Sequence, residues 1–145
     1  KSFADEALPA GAAVAAQSLG RLGLLLGETR LLEAAARALR AGWKSLQRHP
    51  QAHCSLLIAL EEHLEPPEIV IIRGPQHEVA EWRDELAKLY CPGRLVFAIA
   101  NDAADLPPTL EDKKPLASTA AYICRGMTCS APVRSLAAAI AVLRK

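Results

Sequence analysis

Pro66-Pro67 is the feature that most constrains this chain, because proline ends a helix and the apolar pattern changes period across the pair. Before it, apolar residues recur in steps of three and four. After it comes the continuous run Ile69-Val70-Ile71-Ile72, which reads as a buried strand. The prolines therefore part a helical segment, residues 1–65, from a small α/β segment, residues 66–145, and the expected fold class is mixed α+β.

In the first segment Ala15, Leu19, Leu22 and Leu26 line one face of a helix that Gly27 ends. Leu32, Ala36, Leu39, Trp43 and Leu46 line a second helix, closed by His49-Pro50. The short Gly27-Glu28-Thr29 link makes the two an antiparallel αα-hairpin. A third helix carries His53, Leu57, Leu60 and Leu64 on its stripe. Trp43, and Trp82 further on, are expected to be core anchors. Three stripes exceed what three helices can cover, and the chain starts at Lys1 without Met. The expectation is a piece of a longer parent, with further helices preceding it.

In the second segment Ile69–Ile72 leads through Arg73-Gly74-Pro75 into a helix with Val79, Trp82, Leu86 and Leu89 at helical spacing. Pro92-Gly93 then introduces a second strand, Leu95–Ile99, which completes a βαβ unit. Residues 101–115, with three prolines, read as a surface loop. A β-hairpin over Tyr122–Val133, turning at Gly126, and a last helix through Leu136, Ile140 and Leu143 close the reading.

Composition excludes several function classes. Half of the residues, 51%, are hydrophobic but only 4% are aromatic, so Ala and Leu dominate and close-packed helices are favoured. A net charge of +1 with interspersed signs offers no footprint for nucleic acid or an anionic membrane. Gln17, Ser18 and Arg21 interrupt the apolar run at residues 12–26, so no membrane span is expected. Cysteines at 54, 91, 124 and 129 do not form a dense secreted framework, which points to a reducing, cytoplasmic setting.

Candidate chemistry is sparse. Cys124 and Cys129 flank the hairpin turn and face one another across it, so thiol redox chemistry is open to them. They are not a Cys-x-x-Cys at a helix start, and two half-buried structural thiols is the reading the residues favour. Zinc would need two further ligands from His53, Cys54, His77 or Cys91 at no recognisable spacing, so no metal or cofactor is expected. Arg73-Gly74-Pro75-Gln76-His77 sits where α/β proteins bind phosphate, but one Gly and a Pro make a plain βα turn. Glu61, Glu62, Glu65 and Glu68, with Asp102 and Asp105, could pair for general acid/base work on a sugar, and His49, His53 or His63 could titrate in a cleft, but the carboxylates are read as solvated and the histidines as caps or surface groups. No catalytic residue is assigned.

With these residues laid out, the chain resembles the C-terminal part of thioredoxin-domain-containing proteins of the spermatogenesis-associated type, YyaL-like in bacteria. The stretches are Pro67-Glu68-Ile69-Val70-Ile71-Ile72-Arg73-Gly74 and, more distinctive, Ala121-Tyr122-Ile123-Cys124-Arg125 with Thr128-Cys129-Ser130-Ala131-Pro132-Val133. Gly27-Glu28-Thr29 and the Ala-rich helix after it are similar to the family's helical-hairpin region. The resemblance implies a parent with an upstream thioredoxin-like domain and an α/α toroid akin to six-hairpin glycosidases and sugar epimerases. Residues 12–27, 29–48 and 51–65 would be the last toroid helices, with the α/β segment as a cap. Relatives tend to carry Gly-Asn-Ser before the first of these helices, where this chain has Gly11-Ala12-Ala13. The expected role is a structural or interaction module, not an enzyme alone, whose partner is the rest of the parent and which self-associates when isolated. The alternatives are a thiol redox module using Cys124 and Cys129, and part of a carbohydrate-binding or carbohydrate-modifying enzyme.

Overall fold

A computed structural model describes residues 2–114 and 118–144. Pro115, the last residue of the expected surface loop, lies outside the described residues. The fold is mixed α+β and divides into two compact units, Lys1–Pro66 and Pro67–Lys145.

The first unit is helical: α1 (Gly11–Leu26), α2 (Thr29–Arg48) and α3 (Cys54–Leu64). Gly27, in the left-handed conformation, closes α1, and α1 packs on both α2 and α3. The buried faces match those expected only in part, at Leu39 and Leu46 of α2. In α1 the buried residues are Ala13, Ala16 and Gly23, whereas Ala15 and Leu22 are exposed. In α2 they are Ala35, Leu39, Gly42 and Leu46, and in α3 Leu56 and Ala59, so Trp43, Leu57 and Leu64 are not core residues. The physical reason is close approach of the helices. A Cβ on Gly23 would lie 2.6 Å from Leu32 Cδ2 and 3.0 Å from the Leu32 backbone nitrogen, so the α1–α2 seam runs on small residues. Phe3 and Ala10, before the first helix, join the same core.

The second unit carries a four-stranded mixed sheet in the order β2-β1-β3-β4, with β1 (Glu68–Gly74), β2 (Arg94–Ala100), β3 (Ala120–Arg125) and β4 (Thr128–Cys129). β1 runs parallel to β2 and antiparallel to β3. The helix α4 (Gln76–Ala87) connects β1 to β2, and α6 (Leu136–Leu143) ends the unit. Val70 and Ile72 of β1, with Ala121 and Ile123 of β3, pack against Val79, Trp82, Leu86, Ala139 and Leu143. Trp82 is thus the core anchor its spacing predicts. By alternation Ile69 and Ile71 belong to the opposite face, and both are also buried, which explains why β1 is an unbroken apolar run. The stretch expected as a plain loop contains a short helix, α5 (Pro108–Glu111), because Leu110 is buried there.

Glu68 joins three strands. Its Cα partners are Arg94 on β2 and Arg125 on β3, and one carboxylate oxygen accepts from Arg94 Nε at 2.8 Å while the other accepts from Arg125 Nη2 at 2.7 Å. Arg94 Nη2 also donates to the Leu143 carbonyl at 2.5 Å, tying the end of α6 to the sheet.

Candidate functional site

The hairpin of β3 and β4 is built by a two-residue turn. Gly126 has φ of 59° while Met127 keeps a negative φ, the pattern of a type II′ turn with Gly first. Arg125 pairs with Thr128 and Cys124 with Cys129. Ser130 N–H donates to the Ile123 carbonyl at 2.8 Å, so the cysteines occupy a position between hydrogen-bonded pairs, where strands come closest. Their Cα atoms are 3.9 Å apart and the sulfurs are joined in a disulfide. Farther along, Ala121 and Val133 exchange both backbone hydrogen bonds, at 2.9 and 2.8 Å. That register puts one extra residue on the strand carrying Ala131 and Pro132, a bulge at the residue that cannot donate.

The two sulfurs have unlike surroundings. Cys124 is 5% exposed and lies opposite Ile69 in the sheet, whereas Cys129 and its neighbours Met127 and Thr128 are exposed. The adjacent guanidinium of Arg125 is bound to Glu68. Cys54, exposed, and Cys91, half-buried, are free thiols.

The other residues singled out in the sequence are dispersed into local contacts. Glu62 is bound by Arg21 Nε at 2.8 Å and Gln17 Nε2 at 2.8 Å, linking α1 to α3. Burial pushes the Glu62 carboxyl up, but the hydrogen bonds from Arg21 and Gln17 and the Arg21 charge outweigh it and hold the group below the ordinary value. Glu62 and Glu68 are therefore not the free, solvated carboxylates expected, since long-range arginines reach both. Glu61, Glu65, Asp102 and Asp105 are exposed.

His53 is the cap residue that starts α3, as one half of the expectation has it, but it is not a surface group, for it is 2% exposed. Its Nδ1 lies 2.8 Å from the His49 carbonyl and its Nε2 2.9 Å from Ser45 Oγ. The carbonyl can only accept, so Nδ1–H donates to it, and in the neutral imidazole Nε2 is then left to accept from the Ser45 hydroxyl. A serine and an oriented imidazole are the start of a nucleophile–base pair. Ser45 sits inside α2, however, where helix hydrogen bonds already use the backbone N–H groups, and the arrangement works as a clasp between α2 and the start of α3.

The βα turn after β1 is closed rather than a phosphate cradle. Thr119 fills the space beside Gly74, its hydroxyl donates to Glu78, and the Glu78 carboxylate occupies the first turn of α4, where an anion would otherwise sit. Arg73 is 3% exposed, with Nε and Nη1 unpartnered among the described residues, and His77 is on the surface. Among the described residues no group of three His, Cys, Asp or Glu side chains is placed to hold a metal. No helix among them is long and apolar enough to cross a membrane.

Exposed apolar side chains make a second candidate surface. Val14 and Leu22 on α1, Trp43 on α2 and Leu57, Ile58 and Leu64 on α3 are 39 to 70% exposed. Trp43 also edges a 120 Å³ depression with Arg40, Leu60 and His63. That volume is below the few hundred Å³ usual for small-molecule sites.

No family model, curated protein or solved structure matches this chain.

Proposed function

We propose that this chain is a structural or interaction module, without catalysis of its own, forming the C-terminal part of a thioredoxin-domain-containing protein of the spermatogenesis-associated type. The observation that supports the reading is the set of large apolar side chains left exposed on all three helices of the first unit, which a neighbouring surface would cover. In this reading α1, α2 and α3 close an α/α toroid, the partner is the rest of the parent chain, and the setting is the cytoplasm. The isolated chain then self-associates through the same faces. Light scattering after size exclusion, over a hundredfold range of concentration, tests it: mass rising with concentration is expected, and a strict monomer would sink the reading.

A second reading is favoured by one observation, the direct cross-strand bond between Cys124 and Cys129: a thiol redox module. In a reducing compartment such a pair is reversible rather than a permanent staple. Intact mass with and without reductant, followed by alkylation, tests this. Two alkylated thiols before reduction and four after are expected, and four without reductant even after mild oxidation would exclude it.

A further inference from the structure

We propose that thiol–disulfide exchange at this hairpin enters through Cys129, with Cys124 as the sulfur that leaves and later closes the bond again. This deepens the redox reading and rests on it. The substrate class is a thiolate in the reducing direction and a disulfide in the oxidising one.

The argument is access. A thiolate must approach the attacked sulfur along the S–S axis, and only the exposed side of this bond leaves room. Cys129 ends an exposed two-residue strand at the edge of the sheet, beside the exposed turn residue Met127. Cys124 is buried in β3, between β1 and β4, with Ile69 as its partner on the inner side. Attack at Cys129 is thus open, and attack at Cys124 is blocked by the sheet.

The step balances as ordinary exchange. An incoming thiolate bonds to Cys129 Sγ, the Sγ–Sγ bond breaks, and its electron pair leaves on Cys124 Sγ, which takes a proton from solvent. A second thiolate attacks the incoming sulfur of the mixed disulfide and expels Cys129 as thiolate, which is protonated in turn. The pair is reduced by two electrons and the two external thiols become one disulfide. In the reverse direction Cys129 takes up the external sulfur first. Cys124, directly opposite in register, then closes the bond without any change in strand pairing.

The test uses the full chain with the free thiols removed (Cys54→Ser, Cys91→Ser). In that background Cys124→Ser leaves only Cys129, and Cys129→Ser leaves only Cys124. Each is treated with glutathione disulfide and followed by mass. Cys129 is expected to react at least about tenfold faster, with the ratio collapsing toward one in denaturant, where both thiols are open. Equal rates in the folded state, or a faster Cys124, would overturn the proposal. A second measurement avoids the single-cysteine variants: the oxidised pair is given limiting thiol, quenched with acid and peptide-mapped. Mixed disulfide on Cys129 supports the proposal and mixed disulfide on Cys124 overturns it. Glutathione and a reduced dithiol protein run in parallel identify the better thiolate source, and the labelled sulfur decides the proposal in both arms. Failure of the redox reading itself looks different, namely no cystine even after mild oxidation.

Discussion

The two units use their hydrophobic residues in opposite ways. The helical unit builds its seam from Ala13, Ala16, Gly23, Ala35 and Gly42 and leaves Leu22, Trp43, Leu57 and Leu64 substantially exposed. The α/β unit buries Val70, Ile71, Ile72, Val79, Trp82 and Leu86, and among the described residues its exposed large apolar side chains are Tyr90 after α4, Met127 in the hairpin turn and Val142 near the end of α6. An apolar residue is therefore poor evidence of a core where helices can approach on alanine and glycine. It is good evidence where a strand has neighbours on both edges.

The largest expected effect that would break this contrast is at the tryptophans. Trp82→Ala should cost about 3–5 kcal/mol, as for a large aromatic removed from a core, while Trp43→Ala should cost under about 1 kcal/mol. Urea unfolding followed by far-ultraviolet circular dichroism reads both, and equal losses would refute the division. Next comes the α1–α2 seam. Gly23→Val should destabilise by about 1–3 kcal/mol through overpacking against Leu32, whereas Leu22→Gln, one position away, should change stability by no more than about 0.5 kcal/mol and weaken self-association. A smaller effect is expected at the clasp. His53→Ala removes a buried ring and its hydrogen bonds to the His49 carbonyl and the Ser45 hydroxyl, both on exposed residues that water can reach, and should cost about 1–2 kcal/mol, visible as a lowered Tm.

The smallest effect concerns acid. Hydrogen bonds from the Ser55 hydroxyl and backbone N–H, then from Ala10, hold the Asp5 carboxyl below its ordinary value, and Glu62 is lowered as well. Between the folded and ordinary values the unfolded chain binds more protons, so stability falls as pH falls. The contribution is complete above the ordinary carboxylate range near about pH 4 and is lost as pH drops through the lower folded values. Asp5→Asn and Glu62→Gln should flatten the acid dependence of Tm. Because Arg21 and Glu62 keep partial contact with water, Glu62→Gln should cost only about 1 kcal/mol at neutral pH. An unchanged acid slope in the double variant would remove these carboxylates from the account. Both belong to the helical unit, so the contrast sharpens if acid loosens that unit first.

Much of the candidate site is legible in the sequence. Gly126 between β-forming runs announces the turn, and the spacing of Cys124 and Cys129 makes them cross-strand neighbours once the four residues between them are taken as the turn. The exposure difference between the two sulfurs was not legible. It depends on β3 lying beside β1, a pairing between residues more than fifty positions apart, with Glu68 opposite Arg125. The His53 clasp and the Asp5 contacts to Ser55 were missed for the same reason of distance. Asp5 and Ser55 are separated by 50 residues, and nothing in either neighbourhood marks them as partners.

By itself the sequence determined the elements and their class: helices from apolar steps of three and four, strands from the unbroken Ile69–Ile72 run, and a break at Pro66-Pro67 where no helix can continue. These are local consequences of backbone sterics and periodicity, and they need no partner. The tertiary structure alone decided which face of α1 and of α3 is buried, which carboxylates are neutralised, and which of two bonded cysteines meets solvent. Those outcomes depend on groups brought together across the chain, where burial and charge are set by the neighbours a residue acquires rather than by its place in the sequence.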